Sequence, residues 1–300
     1  MTPPFTPIRG IYTALATPFL ADGEIDWKGF EALLQRQLDG RVDGVVLSGT
    51  TGESPTLSVG EKLSLVRKAR ALVENRIKIM AGTGGNCTNQ SVELSRLAID
   101  AGADSLLIVT PPYSKPSLAG LALHYEAIAR ATNAPLCLYH VPSRTGQLLT
   151  AAQIVELTKI PGVVSVKEAS ADMGLFSRAR AASSATFLTG DDCTYLPSLA
   201  VGGSGIISVA TNIFPAAFVA LGTAFSRGDT QRAQALHDVL LPFVDALFCE
   251  SNPGPLKAVL AHEGLCANVL RAPLAPVTAE SAKKAVTSFE DTRQKLRELA

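Results

Sequence analysis

The chain has 300 residues, of which 47% are hydrophobic and 18% are charged. This much apolar material builds a large core and excludes wholesale disorder. Lys plus Arg and Asp plus Glu number 27 each, so the formal net charge is zero. Without a basic patch or tail, the chain offers no electrostatic footprint for nucleic acid. We expect a compact protein that binds small molecules, with no nucleic-acid or membrane partner.

The cysteines and the N-terminal residues indicate the cellular compartment in which we expect the protein. The five cysteines are widely scattered, and none forms a Cys-x-x-Cys or Cys/His pair at metal-ligand spacing. Residues 1–7 lack the basic and apolar regions of a signal peptide. The uncharged stretch 193–226 is long enough to span a bilayer, but prolines and glycines interrupt it. We interpret it as a helix, a buried strand and a second helix, and we expect a cytoplasmic protein without a metal site.

Short apolar runs of strand length recur along the chain with turn residues between them. Helical periodicity follows in residues 58–73, and Thr150-x-x-Gln153 is typical of a helix start with a capping box. Continuous apolar runs indicate strands buried on both faces of a parallel sheet. The eight runs cover 10–19, 44–49, 78–84, 105–112, 135–142, 163–170, 186–192 and 205–212. This alternation predicts an α/β fold, a (β/α)₈ TIM barrel, with a doubly wound open sheet as the alternative.

The remaining residues show helical patterns and no further strand signal. The predicted helices cover 230–250, 253–263 and 277–298. We therefore predict a barrel over residues 1–227 that carries the active site, followed by a C-terminal helical extension over 228–300.

In such a barrel the catalytic groups lie at the C-terminal ends of the strands. Lys78 opens its strand and is therefore interpreted as structural, whereas Lys167 lies late in the sixth run. Strand alternation places Lys167 and Ser165 on one face and the two flanking valines, 164 and 166, on the other. If the valines face the helices, Lys167 points into the lumen. Burial there penalises the ammonium form and favours a neutral amine that attacks carbonyl groups. The alternative, a lysine that extends to a surface carboxylate, has equal weight from position alone.

Other strand ends carry polar groups that suit a carboxylate substrate. The turn Gly49-Thr50-Thr51-Gly52-Glu53 exposes N–H groups and two hydroxyls, although a plain helix cap fits it equally well. Tyr139 shares the inward parity, and Arg144 in the loop that follows is suited to bidentate carboxylate binding. Tyr113 stands on a proline-stiffened loop, and Gly190 leaves space above the lumen. These groups favour an imine-forming site without a metal or cofactor.

Two polar features are expected to be structural. Asp191 and Asp192 are adjacent and point to opposite faces, so a helix N-cap is favoured over acid–base or metal chemistry. His140 has the outward parity and is expected to be packed away from the lumen.

Three motifs together resemble one known family. They are Gly49-Thr50-Thr51-Gly52-Glu53, Tyr139-x-Val141-Pro142-x-Arg144-Thr145-Gly146 and Val166-Lys167-Glu168-Ala169. The chain resembles the dihydrodipicolinate synthase / N-acetylneuraminate lyase family of class I aldolases over essentially its whole length. Arg144 within its motif and Asn252-Pro253 in the tail are similar to the synthase branch. The resemblance implies condensation of pyruvate with L-aspartate 4-semialdehyde, on the route to lysine and diaminopimelate.

The resemblance also implies a role for each site residue. Lys167 forms the imine with pyruvate, whose carboxylate is held by Thr50 and the Thr51 backbone. Tyr139 moves protons, and Thr51 links it to Tyr113, which reaches in from a neighbouring subunit of a homotetramer built as a dimer of dimers. Arg144 binds the carboxylate of the aldehyde substrate. The two remaining residues, Gly190 and Ile207, line the pyruvate pocket.

Some positions depart from relatives that lysine inhibits. Val59, Lys62, Gln90 and Pro112 replace His, His, Glu and an aromatic residue, so we expect weak or absent feedback inhibition. Two other functions stay open. One is an aldolase or lyase for N-acetylneuraminate or 2-keto-3-deoxy sugar acids, which Arg144 disfavours. The other is a non-catalytic small-molecule-binding barrel.

Overall fold

The computed structural model describes residues 5–299. Residues 1–4, which belong to the segment considered for a signal peptide, lie outside the described residues, as does the last residue of the predicted extension. Eight parallel strands close into a barrel in chain order, and the last strand pairs with the first. This closure confirms the predicted barrel and excludes the doubly wound open sheet.

The strands are short, with four to six residues each. They are β1 (Gly10–Ala14), β2 (Gly44–Leu47), β3 (Lys78–Gly82), β4 (Ser105–Val109), β5 (Leu136–His140), β6 (Val163–Glu168), β7 (Thr186–Thr189) and β8 (Gly205–Ser208).

Twelve α-helices occur among the described residues. They are α1 (Trp27–Asp39), α2 (Val59–Val73), α3 (Thr88–Asp100), α4 (Leu118–Thr132), α5 (Pro142–Thr145), α6 (Ala151–Thr158), α7 (Met173–Ala181), α8 (Tyr195–Ala200), α9 (Pro215–Ser226), α10 (Thr230–Leu247), α11 (Gly254–His262) and α12 (Ala279–Glu298). The predicted capping box at Thr150 and Gln153 is present at the start of α6. The uncharged stretch forms α8, β8 and α9, as predicted. Within residues 5–299, no helix combines the length and apolar character needed to cross a membrane.

Every predicted strand extends too far at its C-terminal end. The first run was predicted to residue 19, but β1 ends at Ala14, and Phe19 instead bridges Ile25 in an antiparallel excursion. The physical reason is that an apolar run shows only which residues are buried. A strand ends where its hydrogen bonds to the neighbouring strands end. Several of the extra residues, including Gly49, Val141 and Gly190, line the cavity described below.

The barrel has two apolar layers, one between the strands and the helices and one inside the lumen. The expectation that both valines of β6 face the helices is wrong for Val164, which lies in the lumen cluster. A register shift causes this, because Leu136 pairs with Val163 while Cys137 pairs with Ser165. Val164 is therefore the extra residue of a bulge. Beyond the bulge the alternation resumes, with Val166 in the outer layer.

The predicted boundary at residue 227 falls between the end of α9 and the start of α10. The helices that follow pack on the barrel through an aromatic cluster of Phe214, Phe243 and Phe289. The ring centroid of Phe214 lies 5.0 Å from that of Phe243 and 5.6 Å from that of Phe289. This packing brings the segment after α10 to the C-terminal ends of the strands.

Candidate active site

A cavity of about 630 Å³ opens at the C-terminal ends of the strands. Its wall contains six of the eight residues that the sequence assigns to the site, contributed by four strand ends and the loops that follow them. They are Thr50, Thr51, Tyr139, Arg144, Lys167 and Gly190.

Lys167 is the central side chain of this cavity. It is 6% exposed and pairs with Tyr139 across β5 and β6, so both side chains point into the lumen. The Nζ atom of Lys167 lies 4.3 Å from the centroid of the Tyr139 ring. The alternative of a lysine extended to a surface carboxylate is therefore wrong. An amine in this position is accessible only from the cavity.

Gly190 leaves the space that Lys167 occupies. A Cβ atom at position 190 would lie 2.6 Å from Cε of Lys167 and 2.7 Å from Cβ of Ala169. Both distances are shorter than any ordinary carbon–carbon contact. The position therefore needs glycine for the lysine to keep its place, which agrees with the space expected above the lumen.

The turn after β2 presents Thr50 and Thr51 to the cavity. It is a tight turn, because Ser48 and Glu53 adopt left-handed backbone angles with φ of 54° and 55°. The Ser54 N–H donates to the Gly49 carbonyl at 3.2 Å, which closes the turn. Thr51 is 2% exposed. Its hydroxyl oxygen is therefore held inside the protein at the cavity wall.

Arg144 lies in α5, and its side chain is exposed above the strand ends. Its Nη2 donates to the main-chain carbonyl of Asn252 at 3.5 Å. No carboxylate of the described residues forms an ion pair with it. The guanidinium therefore keeps its charge and most of its donors available for an anionic group in the cavity.

Two predicted residues do not line the cavity. Tyr113 is 91% exposed, on the loop after β4, with a left-handed φ of 69°. Ile207 is fully buried in the lumen cluster. Within this single chain, Tyr113 is thus separated from the other site residues.

The two adjacent aspartates have different partners. Asp191 caps a 3₁₀ turn by accepting the Cys193 N–H at 3.0 Å, as the predicted N-cap requires. Asp192 is buried and accepts N–H bonds of 3.1 Å from Val209 and Ala210. Burial raises the pKa of both carboxyl groups, and these hydrogen bonds oppose that effect. Asp192 thus links the end of β7 to the end of β8.

His140 lies on the outward face of β5, as predicted, and is fully buried. Its Nε2 accepts the Leu149 N–H at 3.0 Å, so the proton is on Nδ1, which donates to Oε1 of Glu168 at 3.0 Å. The pair holds the loop after β5 against β6, beside Lys167.

Sequence analysis missed one wall of the cavity. Asp245 and Phe248, from α10 and the residue after it, line the cavity together with Asp191 and Cys193. Burial and the neighbouring carboxylates raise the pKa of the Cys193 thiol to about 12. The sequence carries no signal for this wall, because α10 follows the last strand and nothing in its pattern indicates which end of the barrel it covers.

A buried ion pair was also missed. Lys257 Nζ contacts Oε1 of Glu53, and both side chains are 0% exposed. Lys257 also donates to the Val269 carbonyl at 2.7 Å. Burial lowers the pKa of Lys257, and Glu53 opposes that shift. The glutamate of the Gly49–Glu53 motif was the available signal, but nothing in the sequence named its partner.

A second cavity, of about 570 Å³, shares Thr50, Tyr139 and Arg144 with the first. It contains Lys62 and, with it, two of the other positions at which the chain departs from lysine-inhibited relatives, Gln90 and Pro112. Burial lowers the pKa of Lys62. Across residues 5–299, no group of three or more His, Cys, Asp or Glu side chains is arranged to hold a metal ion.

The closed barrel holds a buried lysine at the ends of its strands, an arrangement that suits imine-forming enzymes. A family model described as the dihydrodipicolinate synthetase family matches residues 7–291. The chain belongs to this family, which confirms the resemblance seen in the sequence.

Named relatives agree with the family assignment. The chain is 44% identical over 284 residues to 4-hydroxy-tetrahydrodipicolinate synthase of Moorella thermoacetica, covering 94% of this chain and 97% of the relative. A solved structure of 4-hydroxy-tetrahydrodipicolinate synthase from Methylacidiphilum fumariolicum SolV is 41% identical, with a TM-score of 0.94 and coverage of 97% and 98%. A dihydrodipicolinate synthase from Acinetobacter baumannii, solved in complex with pyruvate, is 37% identical, with a TM-score of 0.93 and coverage of 95% and 99%.

Proposed function

We propose that this chain condenses pyruvate with L-aspartate 4-semialdehyde through a Schiff base on Lys167. The product is 4-hydroxy-tetrahydrodipicolinate, an intermediate of lysine and diaminopimelate biosynthesis. The observation that carries the proposal is the buried Lys167 amine, 4.3 Å from the Tyr139 ring and facing the cavity. The names of the relatives, at about 40% identity over nearly the whole chain, support the same activity.

The reaction begins at the Lys167 amine. Its nitrogen attacks the ketone carbon of pyruvate, and loss of water gives an imine. The protonated imine withdraws electrons better than a ketone does, so the methyl group loses a proton to form an enamine. The enamine carbon then attacks the aldehyde carbon, and the resulting alkoxide takes up a proton. Attack of the substrate's own amine on the imine carbon closes the ring and releases Lys167.

Tyr139 is the proposed proton carrier for these steps. A free phenol has a pKa of about 10, so it needs a partner to act as acid and base near neutrality. Thr51 takes this role in the proposal and connects Tyr139 to Tyr113. Thr50, with the Thr51 backbone, binds the pyruvate carboxylate. The tight turn after β2 supports this role because it presents both residues to the cavity.

Arg144 is the proposed binding group for the carboxylate of the aldehyde substrate. Its position at the cavity wall, without a carboxylate partner among the described residues, suits this task. In the proposed pyruvate pocket Gly190 leaves room for Lys167. Ile207, which lies in the lumen cluster and not in the cavity wall, is proposed to support the pocket from inside the barrel. The chemistry uses the lysine amine itself, so no cofactor or metal is proposed.

We propose a homotetramer built as a dimer of dimers, in which Tyr113 enters the site of a neighbouring subunit. The 91% exposure of Tyr113 supports this assembly, since a tyrosine that acts in another subunit must project from its own. We also propose a cytoplasmic location, because both substrates are metabolic intermediates. Residues 228–300 are proposed to form an extension that completes the cavity wall through Asp245 and Phe248.

The test measures turnover of pyruvate with L-aspartate 4-semialdehyde, coupled to NADPH oxidation by a purified downstream reductase. The wild-type chain should turn over, Lys167→Ala should be inactive, and Arg144→Ala should have a raised KM for the aldehyde. Borohydride should trap pyruvate on the wild type and not on Lys167→Ala.

Lys78→Ala is the matched control, because Lys78 lies at the opposite end of the barrel, where it forms an ion pair with Asp104. This variant should retain wild-type turnover. If pyruvate is trapped on Lys167 without turnover of the aldehyde, the activity is instead that of a sugar-acid aldolase. If neither trapping nor turnover occurs, the barrel is a binding protein.

A further inference from the structure

Asn252 is a buried polar residue of the cavity wall that the proposed chemistry does not use. It lies in the short segment between α10 and α11, outside the strand ends that supply the other site residues. Its side chain is 5% exposed and lines the cavity. Within residues 5–299 its side-chain Oδ1 finds no hydrogen-bond partner, so Nδ2 makes the amide's hydrogen bond.

Asn252 contacts two residues that the proposed function uses. Its side-chain Nδ2 donates to the Thr51 hydroxyl oxygen at 3.0 Å. Its main-chain carbonyl accepts from Nη2 of Arg144 at 3.5 Å. One residue of the C-terminal segment therefore touches both the proposed proton relay and the proposed carboxylate-binding group.

The direction of the bond to Thr51 has a chemical consequence. A hydroxyl has one proton to donate and two lone pairs that accept. The amide of Asn252 can only donate through Nδ2, so it occupies one lone pair of Thr51. The hydroxyl proton of Thr51 is then free to point at another acceptor. We propose that Asn252 is a positioning residue that makes Thr51 the hydrogen-bond donor to Tyr139. This inference rests on the proposed function, in which Thr51 connects to Tyr139.

A donor at Thr51 favours the deprotonated state of its partner. The phenolate of Tyr139 must accept a proton from a substrate intermediate, and a hydrogen bond to the charged form stabilises it. If Thr51 instead donated to residue 252, Tyr139 would lose that stabilisation. The orientation of one amide would thus control how well the tyrosine acts as a base.

The segment that carries Asn252 is anchored close to Thr51. Lys257, five residues further along, forms the fully buried ion pair with Glu53, two residues after Thr51. The carbonyl of Val269 accepts a bond of 2.7 Å from the same Lys257 ammonium group. The ion pair and the bond from Asn252 to Thr51 therefore both join segment 252–257 to the turn after β2. This double attachment holds the amide of Asn252 in register with the Thr51 hydroxyl.

The test compares Asn252→Asp with Asn252→Ala in the coupled assay. Asp has nearly the same shape as Asn, but its carboxylate only accepts, so it forces Thr51 to donate to it and away from Tyr139. We expect kcat of Asn252→Asp to fall by about 100-fold, within the range of general acid–base catalysis. Asn252→Ala frees the Thr51 hydroxyl to rotate, and we expect a smaller loss of about tenfold. The KM for the aldehyde should change little in both, because the carbonyl that contacts Arg144 is retained.

A pH profile separates this role from a packing role. As pH falls, the carboxylate introduced at position 252 in the Asn252→Asp variant gains a proton and becomes a donor, so its kcat relative to wild type should rise. A Thr51→Val background supplies the second readout. In that background Asn252→Ala should cause no further loss, because the two residues act through one bond. Asn133→Asp, an exposed substitution at the end of α4, is the control for the added charge and should behave as wild type.

The possible outcomes are distinct. The inference is wrong, and Asn252 only fills space, if kcat falls further in Asn252→Ala than in Asn252→Asp. The same conclusion follows if Asn252→Ala lowers kcat of the Thr51→Val variant by as much as it lowers kcat of the wild type. A wild type without turnover would refute the proposed function itself. Thermal unfolding of each variant identifies any that fails to fold, and the Thr51→Val comparison still decides the question for the soluble Asn252→Ala.

Discussion

Gly190→Ala is the sharpest test of how the cavity holds Lys167. The added Cβ would lie 2.6 Å from Lys167 Cε and 3.1 Å from Lys167 Cγ. Carbon atoms in contact are separated by about 3.5–4.0 Å, so the end of the lysine must move by about 1 Å. Movement past Tyr139 is blocked, because its ring centroid lies 4.3 Å from the Lys167 Nζ. The backbone itself can accept alanine, since φ at position 190 is not in the left-handed region.

A displacement of about 1 Å at the reacting atom typically costs about 100-fold in rate, or about 3 kcal/mol in the activation barrier. We therefore expect kcat of Gly190→Ala to fall by about that factor in the coupled assay. Borohydride trapping of pyruvate, followed by mass spectrometry, should slow in parallel because the amine is misplaced. Unfolding should show a loss of about 1–3 kcal/mol, because the added methyl also lies 2.7 Å from Cβ of Ala169, which cannot rotate away.

The control for Gly190→Ala is Gly60→Ala. Gly60 lies in α2, where an added Cβ meets nothing closer than 4.0 Å. This variant should keep wild-type turnover and gain slight stability from the higher helix propensity of alanine. If Gly190→Ala turns over within about twofold of wild type, the geometric argument for Gly190 is refuted.

Three further predictions concern stability and inhibition. Lys257→Met removes the partner of the buried Glu53 carboxylate, and denaturant unfolding should show a loss of about 3–5 kcal/mol, because an uncompensated buried charge is costly. The hydrogen bond from Arg271 lowers the pKa of Glu61 from its ordinary value of 4.5 to about 2, so this bond stabilises the fold fully above pH 4.5 and is lost as pH falls towards 2. Glu61→Gln should remove that pH dependence, measured as about 1 kcal/mol between unfolding at pH 6 and at pH 3, since the pair is partly exposed. Free L-lysine should inhibit weakly, because Lys62 places a second ammonium in the cavity beside the active site.

The Lys257→Met prediction has a matched control, and each of the three predictions has a contrary outcome. Lys159→Met removes a surface ion pair with Glu156 and should cost at most about 1 kcal/mol. A similar cost for Lys257→Met would contradict the buried-pair argument. If the free energy of unfolding depends on pH equally in the wild type and in Glu61→Gln, the bond between Arg271 and Glu61 does not contribute to stability as predicted. Half-inhibition by low concentrations of L-lysine would contradict the prediction for Lys62.

The sequence alone indicated eight alternating strands and helices and most of the polar residues at the strand ends. Eight apolar runs separated by helical periodicity leave few arrangements, and the C-terminal ends of parallel strands meet at one face. Position late in β6 made Lys167 a candidate, and the polar groups at the other strand ends favoured it over a surface lysine. Parity placed Tyr139 on the inward face and His140 on the outward face. These features are local, because they depend on spacing within one strand or one turn. They could therefore be predicted from the sequence.

The tertiary structure decided what lies far apart in the chain. Strand pairing decided three features: where each strand ends, the inward position of Val164 and the closure between β1 and β8. A hydrophobic pattern in the sequence does not show which strands pair or in which register. The bond between Asn252 and Thr51 joins residues separated by 201 positions, and no pattern in either segment names the other. Only folding brings the C-terminal segment to the barrel mouth, because its helices must bury their apolar faces against the barrel. That packing places the amide of Asn252 beside the Thr51 hydroxyl.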